Sequence, residues 1–266
     1  MEMASAPAVS AVMIDLNADV GESFGSWRLG RDEELMTLIS SASIACGFHA
    51  GDPLVIRRTI DLALANGVAI GAHPGYPDLV GFGRRRLEMT TEELEAAVEY
   101  QLAALSGMAR AAGGDLRHVK PHGALYNVAA DDPAVAEAIV RAVSRISRDL
   151  IVVGLAGAGL VAAGRAAGLA VLSEAFADRA YEPDGRLRSR RLPRAIHDDP
   201  SVVVRQALAI AMGHPVIASD GSSLAISADT LCLHGDTPRA VEFARAIRSA
   251  FQTRGILVTA HPVPRE

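Results

Sequence analysis

Short apolar runs alternate with longer amphipathic stretches along this chain, and that rhythm limits its fold more than any other feature. Strands are expected at 12–17, 43–46, 68–72, 118–120, 151–155, 170–174 and 230–233, with 256–260 an eighth strand or an edge. Helical periodicity fills the intervals at 32–39, 53–65, 91–112, 132–148, 160–167, 200–212 and 238–254. Local signals mark the boundaries: Pro53 in a first turn, Asn66-Gly67 at a stop, Thr91 with Glu93 and Glu95 at a start, Gly113-Gly114 at another stop. Strand–helix alternation of this kind builds a parallel sheet covered by helices. About seven such units favour closure into a TIM-like (β/α) barrel of seven or eight parallel strands. No Pro/Gly/Ser-rich linker divides the chain, so 12–266 are expected to form one barrel domain behind a flexible extension at 1–11. The irregular stretches 75–88 and 176–199 are long for connections in such a barrel and mark functional loops.

The polar residues follow the same rhythm. His49, His73, His122 and His234 each follow an expected strand and precede a small residue. In a parallel barrel all strand C-termini share one face, so these four imidazoles are expected to converge at a mouth. Asp15, Asn17 and Asp19 alternate along the first strand, which puts them on one face, with Glu22 just beyond. Glu174 ends the sixth strand, and Asp178 and Arg179 follow it. Any one of these could be structural: a strand-end histidine is often a hydrogen-bonded scaffold residue, Asp15 could bond loop amides, and Glu22 or Asp178 could cap a neighbour. Four histidines in one register are harder to explain that way.

Composition sharpens one position. Of the 26 basic residues, 25 are Arg, and the only Lys is Lys120 in Lys120-Pro-His-Gly-Ala-Leu-Tyr-Asn127. Arg and Lys are interchangeable on a solvated surface, whereas in a site Lys offers a compact charge whose pKa responds to burial. A lysine kept against such a bias points to an active site, with Tyr126 and Asn127 beside it. Arg84-Arg-Arg86 reads either as a solvated run or as a clamp for a carboxylate or phosphate. The denser basic run at 186–194 reads as a loop. Cys46 and Cys232 read as small buried strand residues, too few for a disulfide framework.

Other classes fit poorly. A net charge of −5 without a basic, aromatic-interleaved stripe argues against a nucleic-acid partner. No stretch approaches 18 uninterrupted apolar residues, the N-terminus lacks the pattern of a signal peptide, and a cytoplasmic setting is expected. A Walker A loop is absent; Gly157-Ala-Gly159-Leu-Val-Ala162 matches a dinucleotide-turn pattern, as tight βα turns in Ala/Gly-rich chains often do.

These motifs resemble the LamB/YcsF family across nearly the whole chain. The resemblance rests on Asp15-Leu-Asn-Ala-Asp-Val-Gly-Glu22, Ser43-Ile-Ala-Cys-Gly-Phe-His-Ala-Gly-Asp-Pro53, Gly71-Ala-His-Pro-Gly-Tyr-Pro-Asp78 and Gly81-Phe-Gly-Arg-Arg85. It continues through Val119–Asn127, Glu174-Ala-Phe-Ala-Asp-Arg-Ala-Tyr181 and Cys232-Leu-His-Gly-Asp236. It implies a barrel akin to those of glycoside hydrolases and deacetylases. It implies conversion of 5-oxo-L-proline to L-glutamate coupled to hydrolysis of ATP, with ATP as co-substrate and partner subunits B and C. On that basis Asp19, His49, His73, Lys120, His122, Glu174 and His234 are expected to be catalytic. Asp15, Asn17, Glu22, Arg84, Arg85, Tyr126, Asn127, Asp178 and Arg179 are expected to bind substrate. Within that scheme Lys120 with Arg85 or Arg179 would face anionic groups, His122 or an Asp19–His pair would handle water, and Glu174 would hold a lactam N–H.

Three other readings stay open: a divalent-metal amidohydrolase or deacetylase acting without ATP, a non-catalytic protein that only binds substrate or scaffolds partners, and an oxidoreductase using the Gly157 turn. The histidine–carboxylate set suits zinc, manganese or iron, although no HExxH or CxxC motif is present. Metal content and ATP dependence separate the first from the family reading. A titratable cluster speaks against the second, and cofactor binding tests the third.

Overall fold

The computed structural model describes residues 12–235, 237 and 239–261. The expected extension at 1–11 and Asp236 of the last motif lie outside the described residues. In chain order the elements are β1 (Met13–Val20), α1 (Asp32–Leu35), β2 (Ser41–Ala45), α2 (Pro53–Ala65), β3 (Ala69–His73), α3 (Thr91–Ala111) and β4 (Leu116–Val119). They continue with α4 (Gly123–Asp131), α5 (Pro133–Ile146), β5 (Ile151–Leu155), α6 (Gly159–Ala166), β6 (Val171–Phe176) and α7 (Pro200–Ala211). β7 (Val216–Ile217) and β8 (Ser223–Leu224) form a hairpin before β9 (Thr230–Leu233), α8 (Ala240–Thr253) and β10 (Leu257–Val258).

The expected barrel is present, with seven strands in the ring. β1, β2, β3, β4, β5, β6 and β9 pair in parallel in that order, and β9 closes onto β1 through Asp15↔Thr230 to Ala18↔Leu233. The anticipated eighth strand is an edge: β10 pairs only with Met13 and Ile14 of β1. Helix starts follow local chemistry. Asp52 accepts from the Leu54 and Val55 amides ahead of Pro53, and Thr90 and Glu93 form a capping box for α3. Asp132 and Asp199 cap α5 and α7 ahead of a proline in the same way.

Every residue of β2 and β5, and all of β1 after Met13, is buried. Such two-sided burial is expected of strands with helices outside and side chains filling the barrel inside. Ile14, Leu16, Ala18 and Val20 join the hydrophobic core with the helices. Their alternates Asp15, Asn17 and Asp19 share the other face and make the barrel interior polar.

Candidate active site

The polar residues expected at the mouth leave their strands near the C-terminal ends. Asp19 lies on β1 and Glu22 just past it; His49 follows β2; His73 ends β3; Lys120 and His122 follow β4; Glu174 is on β6; His234 follows β9. Gly235 lets that last turn close, because a Cβ there would meet the Asp19 carbonyl oxygen at 2.1 Å. Above the strand ends a cavity of about 650 Å³ opens, walled by the loops after β3 and β6 and by α4.

Lys120 stands at the centre, 2% exposed. Its ammonium lies 2.6 Å from Asp19 Oδ1, and donates to Glu174 Oε1 at 3.0 Å and Asn17 Oδ1 at 2.8 Å. Cys232 Sγ is 3.1 Å away. Burial opposes the charged ammonium, but Asp19, Cys232 and Glu174 more than offset that and push the Lys120 pKa well above its usual value. Asp19 is the reciprocal case: burial works against the carboxylate, yet His73 and Lys120 hold it well below the usual range. A buried cation fixed between two carboxylates is expensive to desolvate and rarely built for stability alone. Glu174 Oε2 and the Tyr126 hydroxyl lie side by side without a well-aligned hydrogen bond to any protein group.

Beside the lysine, the histidines form a packed group. His49 stacks on His122 at 3.7 Å between ring centroids, with planes 4° apart, and His73 meets both edge-on. Among the described residues, one set of imidazoles and carboxylates brings its potential ligand atoms within 4.8 Å of one another: Glu22, His49, His73 and His122. Burial and the neighbouring imidazoles hold His49 and His122 well below the usual histidine pKa, so both are neutral near pH 7. Across the mouth, His234 Nδ1 faces both oxygens of Asp178 at 3.0 Å, and its ring stacks on Phe176.

The rim carries the opposite character. Arg84 and Arg86 from the loop after β3, and Arg179, Arg186, Arg188, Arg190 and Arg191 from the loop after β6, all line the mouth. Arg179 donates to the carbonyls of Ala195 and Arg188. Burial, aided by Arg190 and Arg84, drives its pKa down to about 10. Arg186 pairs with Asp131 and Asp184, Arg188 with Glu182 and Arg86 with Glu88, so part of the rim's positive charge is met by carboxylates of the chain itself.

Of the sixteen residues singled out from the sequence, eleven line the mouth: Asp19, Glu22, His73, Arg84, Lys120, His122, Tyr126, Asn127, Glu174, Arg179 and His234. His49 lies directly behind His122. Asn17 and Asp178 stand one layer back, holding Lys120 and His234. Two are placed elsewhere. Asp15 sits deep in the barrel, where the hydroxyls of Ser40, Ser41 and Thr230 donate to it at 2.7, 2.6 and 2.5 Å. Alternation correctly gives its face, but four strand residues at about 3.3 Å each put it roughly 13 Å below Asp19. Arg85 points out of the mouth and pairs with Asp78. Arg86 belongs to the basic run already read as a possible clamp; the residues not anticipated are the rim arginines from 186 to 191. The length of their loop marks it as functional, but its basic run alone does not say where it folds. The Gly157 turn lies outside the mouth lining.

The architecture and the mouth define a seven-stranded (β/α) barrel with a buried ionic site at the C-terminal ends of its strands. The chain belongs to the LamB/YcsF family, whose profile matches residues 14–265. A Methylococcus capsulatus protein, named as the A subunit of 5-oxoprolinase, is 56% identical over 247 residues, 93% of this chain and 95% of that one. The crystal structure of a lactam utilization protein from Thermus thermophilus is 47% identical, with a TM-score of 0.89 over 94% of this chain and 100% of that one. The catalytic domain of a peptidoglycan N-acetylglucosamine deacetylase from Eubacterium rectale shares the barrel at a TM-score of 0.50 and 11% identity, covering 97% of this chain and 96% of that one. At that identity the likeness concerns the fold alone.

Proposed function

We propose that this chain is the A subunit of an ATP-dependent 5-oxoprolinase, opening the five-membered lactam of 5-oxo-L-proline at the barrel mouth, with residues 12–266 acting as one catalytic domain. The relatives' names supply the substrate. The observation that carries the chemistry is the buried Lys120 ammonium, fixed by Asp19 and Glu174 beneath an arginine rim.

An unstrained lactam resists hydrolysis because nitrogen donates into its carbonyl. Transfer of the ATP γ-phosphoryl group to the lactam oxygen removes that donation and releases ADP. Water then adds to the ring carbon and loses a proton, the C–N bond breaks with a proton delivered to nitrogen, and the resulting acyl phosphate is hydrolysed by a second water to glutamate and phosphate. Such a sequence needs cations around the phosphoryl oxygens and a base near the water. In this reading Lys120 and Arg179, with Arg84, face the anionic groups. The Asp19–His73 pair, 3.3 Å apart, or His122 positions the attacking water. Glu174 Oε2 accepts from the lactam N–H. ATP is the co-substrate and the working enzyme includes subunits B and C, in a cytoplasmic setting. No helix among the described residues is long and apolar enough to cross a membrane.

The test is reconstitution with the candidate B and C subunits, followed by glutamate release from 5-oxoproline. The reading expects release that requires ATP and yields one phosphate per glutamate. Equal release without ATP would overturn the coupling and favour a direct amidohydrolase, the reading that the His–carboxylate group otherwise supports. No release under either condition, from an assembled complex, would remove the substrate assignment.

A further inference from the structure

The hydrogen bonds around the three packed histidines fix which ring nitrogens carry protons. His73 Nδ1 lies 2.6 Å from the Lys120 carbonyl oxygen, so Nδ1–H donates there and Nε2 is left with a lone pair. His122 Nε2 lies 2.9 Å from the Phe82 carbonyl oxygen, so Nε2–H donates and Nδ1 keeps its lone pair. That carbonyl is held in place at a backbone cost: Phe82 has φ 55°, in the left-handed region. Gly83 follows, and any Cβ there would press on His122 and on His49 at 2.8 Å.

The two lone pairs point at each other. His73 Nε2 and His122 Nδ1 are 3.0 Å apart, and with both rings neutral and both N–H groups committed to carbonyls neither has a proton to give the other. Glu22 Oε1 adds more electron density, 3.4 Å from His122 Nδ1 and 3.6 Å from His49 Nε2. Both nitrogens of His49 are buried without a hydrogen-bond partner among the described residues. Asp19 Oδ2 flanks the group, 3.3 Å from His73 Nε2. Converging buried acceptors repel unless a cation or a donor lies among them.

The spacings identify the kind of cation. Separations of 3.4 and 3.6 Å are long for hydrogen bonds to a carboxylate. Ligand atoms bonded to one ion at about 2.0–2.2 Å stand roughly 3–4 Å apart, and the His73–His122, Glu22–His122 and Glu22–His49 separations of 3.0, 3.4 and 3.6 Å fall in that range, with all four ligand atoms within 4.8 Å of one another. Metal-bound histidines also characteristically donate their other N–H to a carbonyl, as His73 and His122 do.

We infer that Glu22, His49, His73 and His122 bind one divalent transition-metal ion. Three imidazoles and one carboxylate select zinc, manganese, iron or cobalt over magnesium and calcium, which prefer oxygen ligands. Glu22, His73 and His122 also line the mouth, so a bound ion is within reach of a ligand there. When bound, such an ion supplies Lewis acidity beside Lys120. The site does not depend on the lactam reading, because it is tested without ATP or lactam.

The experiment uses the full chain, stripped with a chelator and reloaded with Zn²⁺ or Co²⁺. Metal content is measured after gel filtration, and melting temperature with and without metal. The expected result is one ion per chain, a higher melting temperature when loaded, and a Co²⁺ visible spectrum without thiolate charge-transfer bands. His73→Ala and His122→Ala are expected to weaken uptake by about a hundredfold or more, and His197→Ala, outside the cluster, to leave it unchanged. Circular dichroism of the metal-free variants confirms that they are folded; should either fail to fold, Glu22→Gln is the replacement and is expected to weaken uptake by about tenfold or more. Folded wild-type chain that retains no metal after reloading would overturn the site. So would full retention in folded variants, or a thiolate signature implicating Cys46 or Cys232.

Discussion

The barrel encloses two polar layers, and they are built on opposite principles. In the lower layer Asp15 receives three hydroxyls, while Asn17 donates to Thr230 and Glu174 and accepts from Lys120. In the upper layer acceptor faces acceptor: His73 and His122 turn lone pairs toward each other, both His49 nitrogens are unmatched, and Glu174 Oε2 has no aligned donor. Both layers are buried and polar, so burial and polarity do not separate them. Hydrogen-bond satisfaction does. A fully met polar group stabilises one structure, whereas converging unmet groups are poised for something the chain itself does not contain.

Lys120 joins the two layers and gives the largest expected effect. Lys120→Arg keeps the charge but replaces a compact ammonium with a planar fork that cannot face Asp19, Asn17 and Glu174 in the same way. In the reconstituted complex, 5-oxoproline-dependent turnover is expected to fall about 10²- to 10³-fold. Circular dichroism of the folded variant should be unchanged. Turnover close to that of wild type would show that Lys120 belongs to the lower, structural layer.

The sequence showed much of this arrangement and missed parts for definite reasons. The strand at Ile151–Leu155 and the helix at Pro53–Ala65 coincide with the expected 151–155 and 53–65, because a β-branched run and a proline after an Asp cap are local signals. The helix at Gly123–Asp131 was not expected: it starts at a glycine with φ 54°, no side chain caps it, and it hides inside the Lys120 motif. Convergence of His49, His73, His122 and His234 was legible because a parallel barrel puts every strand end on one face. Depth is not, since a period of two reports a face and says nothing of the layer, and so Asp15 is grouped with the substrate-binding residues although it lies a layer below them. Tautomers were invisible as well, because the carbonyls of Phe82 and Lys120 that fix them are backbone atoms placed by the fold.

Asp15→Ala probes the lower layer. The hydroxyls of Ser41 and Thr230 lose their acceptor, and the expected cost is about 2–4 kcal/mol of stability by denaturant unfolding. Measured well below the melting temperature, turnover of the folded complex should stay within about twofold of wild type. A drop of more than about tenfold with the fold intact would break the division into layers and return Asp15 to the substrate site.

Asp32 tests the same criterion on a smaller scale, behind the mouth. Its Oδ2 accepts from the Gly21 amide at 2.8 Å, while burial pushes its pKa up to about 6 from an ordinary 3.8. A carboxyl whose folded pKa lies above its unfolded value binds protons more readily when folded. Its contribution to stability is therefore fully present below about pH 3.8, and is lost as pH rises through about 6. Asp32→Asn keeps an acceptor for the amide and removes the titration. The variant should lose the part of the stability–pH slope lying between those values, and be more stable than wild type at pH 7–8 by about 1–2 kcal/mol, after allowance for partial solvent exposure. Urea unfolding at a series of pH values spanning that window reads this directly. An unchanged slope would mean that the single Gly21 amide satisfies Asp32 as fully as three hydroxyls satisfy Asp15, and that counting donors is too coarse a way to tell the layers apart.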